Sequence, residues 1–242
     1  RYPPLHVVGP IEATASTSSF ALGTTQIGQD VLSRIIWGAR IALIIGLLAP
    51  AFSLVIGVPL GLLAGYLGRG VDRGLSLVMD SLYAFPGLIL AIAITAVLGP
   101  SVVNVIVALA VVYVPTYYRI VRGQTLAVKQ ELYVEAARSL GSRTPELLRR
   151  YVLPNVLPSA VIIFSVSVAD AILIGAGLSF LGLGLPLDVP DWGLDLARGQ
   201  ANIRDAWWLV VFPGTMIMLA VLAFTMVGEG LIEIFNPKLR ER

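Results

Sequence analysis

Five apolar runs, each long enough to cross a bilayer as a helix, set the limits on what this 242-residue chain folds into. They lie at about 41–67, 75–98, 102–121, 156–183 and 207–234. A helix needs about 20 mostly apolar residues to traverse the hydrocarbon layer. The runs are continuous rather than alternating, which argues against a transmembrane β-barrel. Charged residues make up 13% of the chain, against about 25% in an ordinary soluble domain. The expected fold is therefore all-α, a polytopic transmembrane helical bundle. Pro50 and Pro59 fall in the first run, Pro86 in the second, Pro115 in the third and Pro213 in the fifth. Each removes an intrahelical hydrogen bond and kinks its helix, which membrane bundles tolerate when neighbours satisfy the freed carbonyl.

Composition also excludes chemistry. A formal charge of +2 is too small to point to nucleic acid, and the absence of cysteine removes disulfides and thiolate sites. The single histidine, His6, has no visible second ligand or nucleophile to work with. No GxxxxGK[ST] phosphate loop is present, so any ATP is bound elsewhere.

The polar stretch at about 122–155 separates the third and fourth runs. Leu132–Leu140 is helix-forming, and Gly141 is a natural stop. Thr144-Pro145-Glu146 then offers an N-cap, a proline at the first helical position and a carboxylate in the first turn. Two short helices broken at Gly141 are expected. Ala136 and Ala137 would let a partner surface approach closely, with Glu135, Arg138 and Arg143 as polar anchors. The plainer alternative is a solvated connector.

Glu135-Ala136-Ala137, Gly141 four residues later and Leu153-Pro154 resemble the cytoplasmic EAA loop of permease subunits in ATP-binding-cassette (ABC) importers. LGTTQIGQDVLSR at 22–34, LYAFPGLILAI at 82–92, LSFLGLGLP at 178–186 and GEGLIEIFNPKLR at 228–240 follow in order. Together they make the chain similar to the dipeptide/oligopeptide (and nickel) class of these permeases, specifically the C-type subunit of the pair. The resemblance implies that Glu135, Ala136, Ala137, Arg138, Gly141, Leu153 and Pro154 couple the chain to an ATPase. It further implies a homologous permease subunit in a heterodimer, two ATP-binding subunits that hold ATP and Mg, and an extracytoplasmic solute-binding protein. The chain itself would be no enzyme and would carry no cofactor. Its setting would be a prokaryotic inner or plasma membrane, among lipid and without nucleic acid. Thr25 and Gln29 stand where the class often has Asp and Arg, Tyr151 replaces an aliphatic residue, and Gly175-Ala176-Gly177 occupies a stretch where relatives commonly carry a carboxylate. Dipeptides, oligopeptides, nickel chelates and sugars are all compatible substrates.

With the EAA-like loop placed in the cytoplasm, twelve Lys and Arg fall inside and five outside, in agreement with the positive-inside rule. The C-terminus is then cytoplasmic and residues 1–40 are extracytoplasmic. This parity predicts a sixth helix upstream of residue 1, and residues 1–20 lack a signal-peptide core. Within residues 1–40, Val31, Leu32, Ile35 and Ile36 at helical spacing predict an amphipathic surface helix over 28–39, with Asp30 and Arg34 as an i,i+4 pair. Residues 41–242 form the permease domain, with an extracytoplasmic loop at about 186–206 that holds at most one short helix.

Asp170 lies near the middle of the fourth run, where a carboxylate is costly and usually faces a bundle interior or a wet cavity. It lines the translocation path and attracts an ammonium, or it is hydrogen-bonded against a neighbouring helix or protonated. Asp80, Glu229 and Glu233 read as interhelical or interfacial partners, with Lys238 and Arg240 in reach of the two glutamates. Gly57, Gly61 and Gly65 form a packing stripe, within the bundle or against the partner permease. Asp188, Asp191, Asp195 and Asp205 read as a solvated outer loop or a seat for the binding protein. A secondary transporter would show repeats and buried relays; the sequence offers one clear midplane carboxylate and no repeat.

Overall fold

The computed structural model describes residues 3–10 and 20–235. Among them the regular structure is helical: α1 (Val31–Leu67), α2 (Arg69–Tyr83), α3 (Gly87–Leu98), α4 (Val102–Val128), α5 (Leu132–Ser139), α6 (Thr144–Leu147), α7 (Leu153–Phe180), α8 (Trp192–Gln200) and α9 (Trp208–Phe235). A π turn, Leu148–Val152, joins α6 to α7. Among the described residues four continuous helical stretches are long and apolar enough to cross a membrane, five if the bent pair α2 and α3 counts as one span.

Two elements differ from the sequence reading. Among the described residues no separate surface helix precedes the first span: α1 starts at Val31 and runs unbroken to Leu67, about 55 Å at 1.5 Å per residue. The second run is not one helix either. Its two halves meet at 87°, because Pro86 disfavours helical geometry at Phe85 and cannot donate its own backbone bond. α2 is amphipathic rather than apolar, with Asp72, Ser76 and Asp80 recurring at one-turn spacing. Boundaries also move: α4 continues to Val128, so the polar connection starts at Lys129, and the later connection covers 181–207 and contains α8.

The chain divides into two compact units. The first takes residues up to 48, 88–109 and 168–224. In it, Asp30 caps α1: one carboxylate oxygen accepts from the Ser33 amide at 3.0 Å and the Ser33 hydroxyl at 2.6 Å. Val31 and Ile35 pack with Ala206, Trp208 and Leu209. The Trp192 indole donates to the Ile35 carbonyl at 3.0 Å, and the Trp208 indole donates to the Thr24 carbonyl at 3.3 Å. These bonds pin α8 to the first turns of α1 and the start of α9 to the segment before it.

The second unit takes residues 49–87, 110–167 and, of the described residues, 225–235. Gly57, Gly61 and Gly65 lie against α4. A Cβ on Gly57 would sit 2.6 Å from the Tyr117 Cβ, one on Gly61 2.7 Å from the Tyr118 carbonyl, and one on Gly65 2.7 Å from the Thr125 Cβ. Such separations are far inside van der Waals contact, so the stripe sets how closely α1 and α4 approach. Ser53 donates to the Ala110 carbonyl at 2.8 Å, and the Lys129 ammonium to the Gly65 carbonyl at 2.7 Å, near the end of α1. α2 is tied to α4 by ion pairs, Asp72 with Arg122 and Asp80 with Arg119, the latter at 2.7 Å. Arg119 also stacks 4.0 Å from the Tyr83 ring. Asp80 is thus an interhelical partner.

Candidate functional site

Three polar constellations lie outside the ordinary helix packing: the 129–152 connection, Asp170 on α7, and the buried charges of the first unit.

In the connection, α5 ends as the glycine signal requires. Gly141 adopts φ +90°, its amide donates to the Arg138 carbonyl at 3.0 Å, and the Ser142 amide donates to the Ala137 carbonyl at 3.1 Å. This pair of bonds is the Schellman arrangement, which satisfies the last carbonyls of a helix. The next helix starts one residue earlier than read: Arg143 is the N-cap position and Thr144 the first helical residue, with no side-chain cap bond. α6 then flows through the π turn into α7. Pro154 has no amide for residue 150 and would press on its carbonyl. The wider π turn, in which the Leu153 amide reaches back to the Leu148 carbonyl, relieves that conflict just before it.

α5 has two faces. Val134 and Ala137 turn inward with Leu147, against Tyr66, Val128 and Tyr151. Ala137 is therefore part of the connection's own small core rather than of an open surface, while Ala136 beside it is exposed. The outer face carries Glu135, Ala136 and Arg138 together with Leu132 and Leu140, which are 81% and 88% exposed. Arg138 leans on Tyr66, 5.6 Å from its ring. Leu153 is half-buried and Pro154 exposed, the latter beside an open groove of about 470 Å³ shared with Glu146, Arg149 and Arg150.

The family model described as the binding-protein-dependent transport system inner membrane component matches residues 57–241. The chain belongs to this permease family. It is 40% identical to the dipeptide transport system permease protein DppC of Alkalihalophilus pseudofirmus, over 90% of this chain and 72% of that protein. It is 41% identical to the glutathione transport system permease protein GsiD of Pectobacterium atrosepticum, over 93% and 74% respectively. For the di/tripeptide transport system permease protein DppC of Pseudomonas aeruginosa the figures are 42%, 91% and 73%. The fold is similar to that of a chain in the inward-facing MetNI methionine ABC transporter, with a TM-score of 0.63 and 21% identity, covering 82% of this chain and 96% of that one.

The permease is thus a multi-pass inner-membrane component of a binding-protein-dependent ABC importer, and it is not itself catalytic. ATP is bound by the partner ATPase, and a binding protein completes the system. On α7, Asp170 is exposed. It shares one stripe with Val166, Leu173 and Phe180, all exposed. Glu229 and Glu233 are exposed on α9, and Lys238 and Arg240 lie outside the described residues.

The first unit of the permease holds a charge cluster that local sequence rules misassign. Arg34 pairs with Asp195 rather than with Asp30, 2.9 and 3.0 Å from its Nε and 2.6 Å from Nη2. Its Nη1 donates to the Gln29 amide oxygen at 2.9 Å. Arg34 is 1% exposed. Asp191 is buried too, with Oδ1 unpartnered among the described residues. Burial pushes its carboxyl up to about 6, against hydrogen bonds from Ser179, Leu194 and Gly193 that pull it down. Of the four loop aspartates, only Asp188 and Asp205 are solvated.

Proposed function

We propose that this permease forms half of an import pathway for small peptides and that the outer face of α5 is where ATP-driven motion enters it. The coupling assignment is carried by one observation: a short helix, fixed behind by its own core, exposes two leucines beside Glu135 and Arg138. Exposed large apolar groups set among charges mark protein-binding surfaces. Gly141 holds the helix end, and Leu153-Pro154 shape the joint to α7. The names of the relatives, which transport dipeptides, di/tripeptides and glutathione, support a peptide substrate. In this reading the other half of the path is a homologous permease subunit, and two ATPase subunits close beneath the pair.

The proposed orientation puts α5 and the C-terminus in the cytoplasm and residues 181–207 outside, supported by the twelve-to-five distribution of basic residues. Asp170, exposed near the middle of a spanning helix, then faces the water-filled path or the second permease rather than lipid, where a charge is expensive. In the path it would attract the ammonium of a peptide.

The test is uptake of a radiolabelled dipeptide, with glutathione and nickel as competitors, in cells that carry the intact importer. Glu135→Lys and Gly141→Pro should abolish uptake while the chain remains inserted at normal abundance. Normal uptake by both would remove the coupling assignment. Competition by nickel but not by peptides would replace the substrate class.

A further inference from the structure

The first unit encloses a cavity of about 210 Å³ whose charges its own walls do not balance. Two guanidiniums, Arg34 and Arg198, adjoin one carboxylate, Asp195. Arg34 takes that carboxylate with two nitrogens and gives a third to Gln29. Arg198, one turn further along α8, is left with a main-chain carbonyl, donating from Nη2 to Leu187 at 3.0 Å. Among the described residues no carboxylate lies within ion-pair distance of it. Burial, and then the charge of Arg34, push the Arg198 pKa below its usual value, against a weaker opposing pull from Asp195. A half-buried cation in that position gains from any anion that enters. The rest of the lining is mixed: Thr25, Gln26 and Gln29 are polar, while Ile27, exposed and so at the mouth, Val31, Leu209 and Pro213 are apolar. A carboxylate on a short apolar stem meets the cation and covers Ile27, Val31 and Leu209 as well, whereas an inorganic anion would leave those side chains wet.

We propose that this cavity is the socket for an acidic side chain of the solute-binding protein. The proposal rests on the importer reading and orientation above, which place the cavity's loops on the face a binding protein must approach. Charge complementarity selects the occupant. The aspartates that first suggested an acidic seat are half consumed, because Asp191 is buried and Asp195, only 11% exposed, is taken by Arg34. What the cavity offers outward is positive.

The experiment uses the assembled importer in liposomes, with ATP hydrolysis followed as the solute-binding protein recovered from the same cells is titrated in. Arg198→Glu should raise the half-saturating concentration at least about tenfold, the scale of losing a desolvated charge pair, and should flatten its dependence on salt. Arg198→Lys should retain most of the response. Half-saturation by Arg198→Glu at the wild-type concentration would overturn the socket.

A second readout does not depend on substituting α8. The chain has no cysteine, so Ile27→Cys gives it a single thiol at the mouth of the cavity. Saturating binding protein should slow its labelling by a membrane-impermeant maleimide at least about fivefold, as a water-excluding contact does. Unchanged labelling would overturn the socket while the binding-protein response of the wild type stood. Absence of any such response in the wild type would overturn the importer reading itself, and this proposal with it.

Discussion

The two polar regions of this permease handle charge in opposite ways. Around Arg34 and Asp195, charges are withdrawn from water and spent on one another, 161 residues apart in the chain. In the 129–152 connection, Glu135, Arg138, Arg143, Arg149 and Arg150 stay exposed, and what is buried is Val134, Ala137 and Leu147. The single ion pair there, Arg150 with Glu146 at 3.9 Å, is solvated and worth little. A buried pair adds little net stability, but removal of one partner strands a charge, so it fixes how its elements meet. The first region is architecture with one cation to spare. The second is a surface whose chemistry is still available to a partner.

The comparison breaks most visibly if Arg34→Met is mild. With Asp195 left buried and unpaired, that variant should cost about 3–5 kcal/mol, read as thermal unfolding of the purified importer. Arg34→Met combined with Asp195→Leu should recover most of the loss. Equal losses in the single and double variants would mean that packing, not charge, ties α8 to α1. Next in size is Gly61→Val, which forces a side chain against the Tyr118 carbonyl and should cost about 1–3 kcal/mol in the same assay.

A smaller effect sharpens the contrast through pH. The folded carboxyl of Asp191, raised to about 6 by burial, binds its proton more tightly than the unfolded one does. Its stabilising contribution is therefore complete below the unfolded carboxylate range and fades as pH rises through about 6. Between pH 5 and pH 7.5 the wild-type Tm should fall more than that of Asp191→Asn; parallel curves would show that another group is responsible. Smallest in stability is Leu140→Ala, within about 0.5 kcal/mol. It should nonetheless weaken retention of the ATPase on the permease in detergent. A large Tm loss would show that the exposed face of α5 is structural after all.

What the sequence revealed and what it hid follow from the range of the forces involved. The spans were legible because solvent exclusion acts on long runs, and Gly141 because a left-handed backbone needs glycine locally. The 87° elbow was half legible, since Pro86 was visible but a proline kinks far more often than it breaks. The Arg34 partner was not legible. Asp30 stands at the right local spacing, yet it caps α1 through Ser33, and tertiary packing brings Asp195 instead. Ala137 was misread as an open docking surface, although Val134 and Ala137 at i,i+3 were a signal for an inward face. The burial of Asp191 was not legible either, because one of its partners, Ser179, lies twelve residues back at the end of α7.

The π turn before Pro154 has a consequence for phase. Five residues that reach back by one extra position act as a single-residue insertion between the coupling helices and α7. Since an α-helix advances about 100° per residue, deletion of one residue from Leu148–Val152 would rotate every side chain of α7 by about that angle relative to α6. Val156 and Ala160, now inward, would exchange with Leu157, now outward. The permease therefore keeps the azimuth of its fourth spanning helix in one irregular turn, and the timing of that turn, more than any side chain in it, decides what α7 shows to its surroundings.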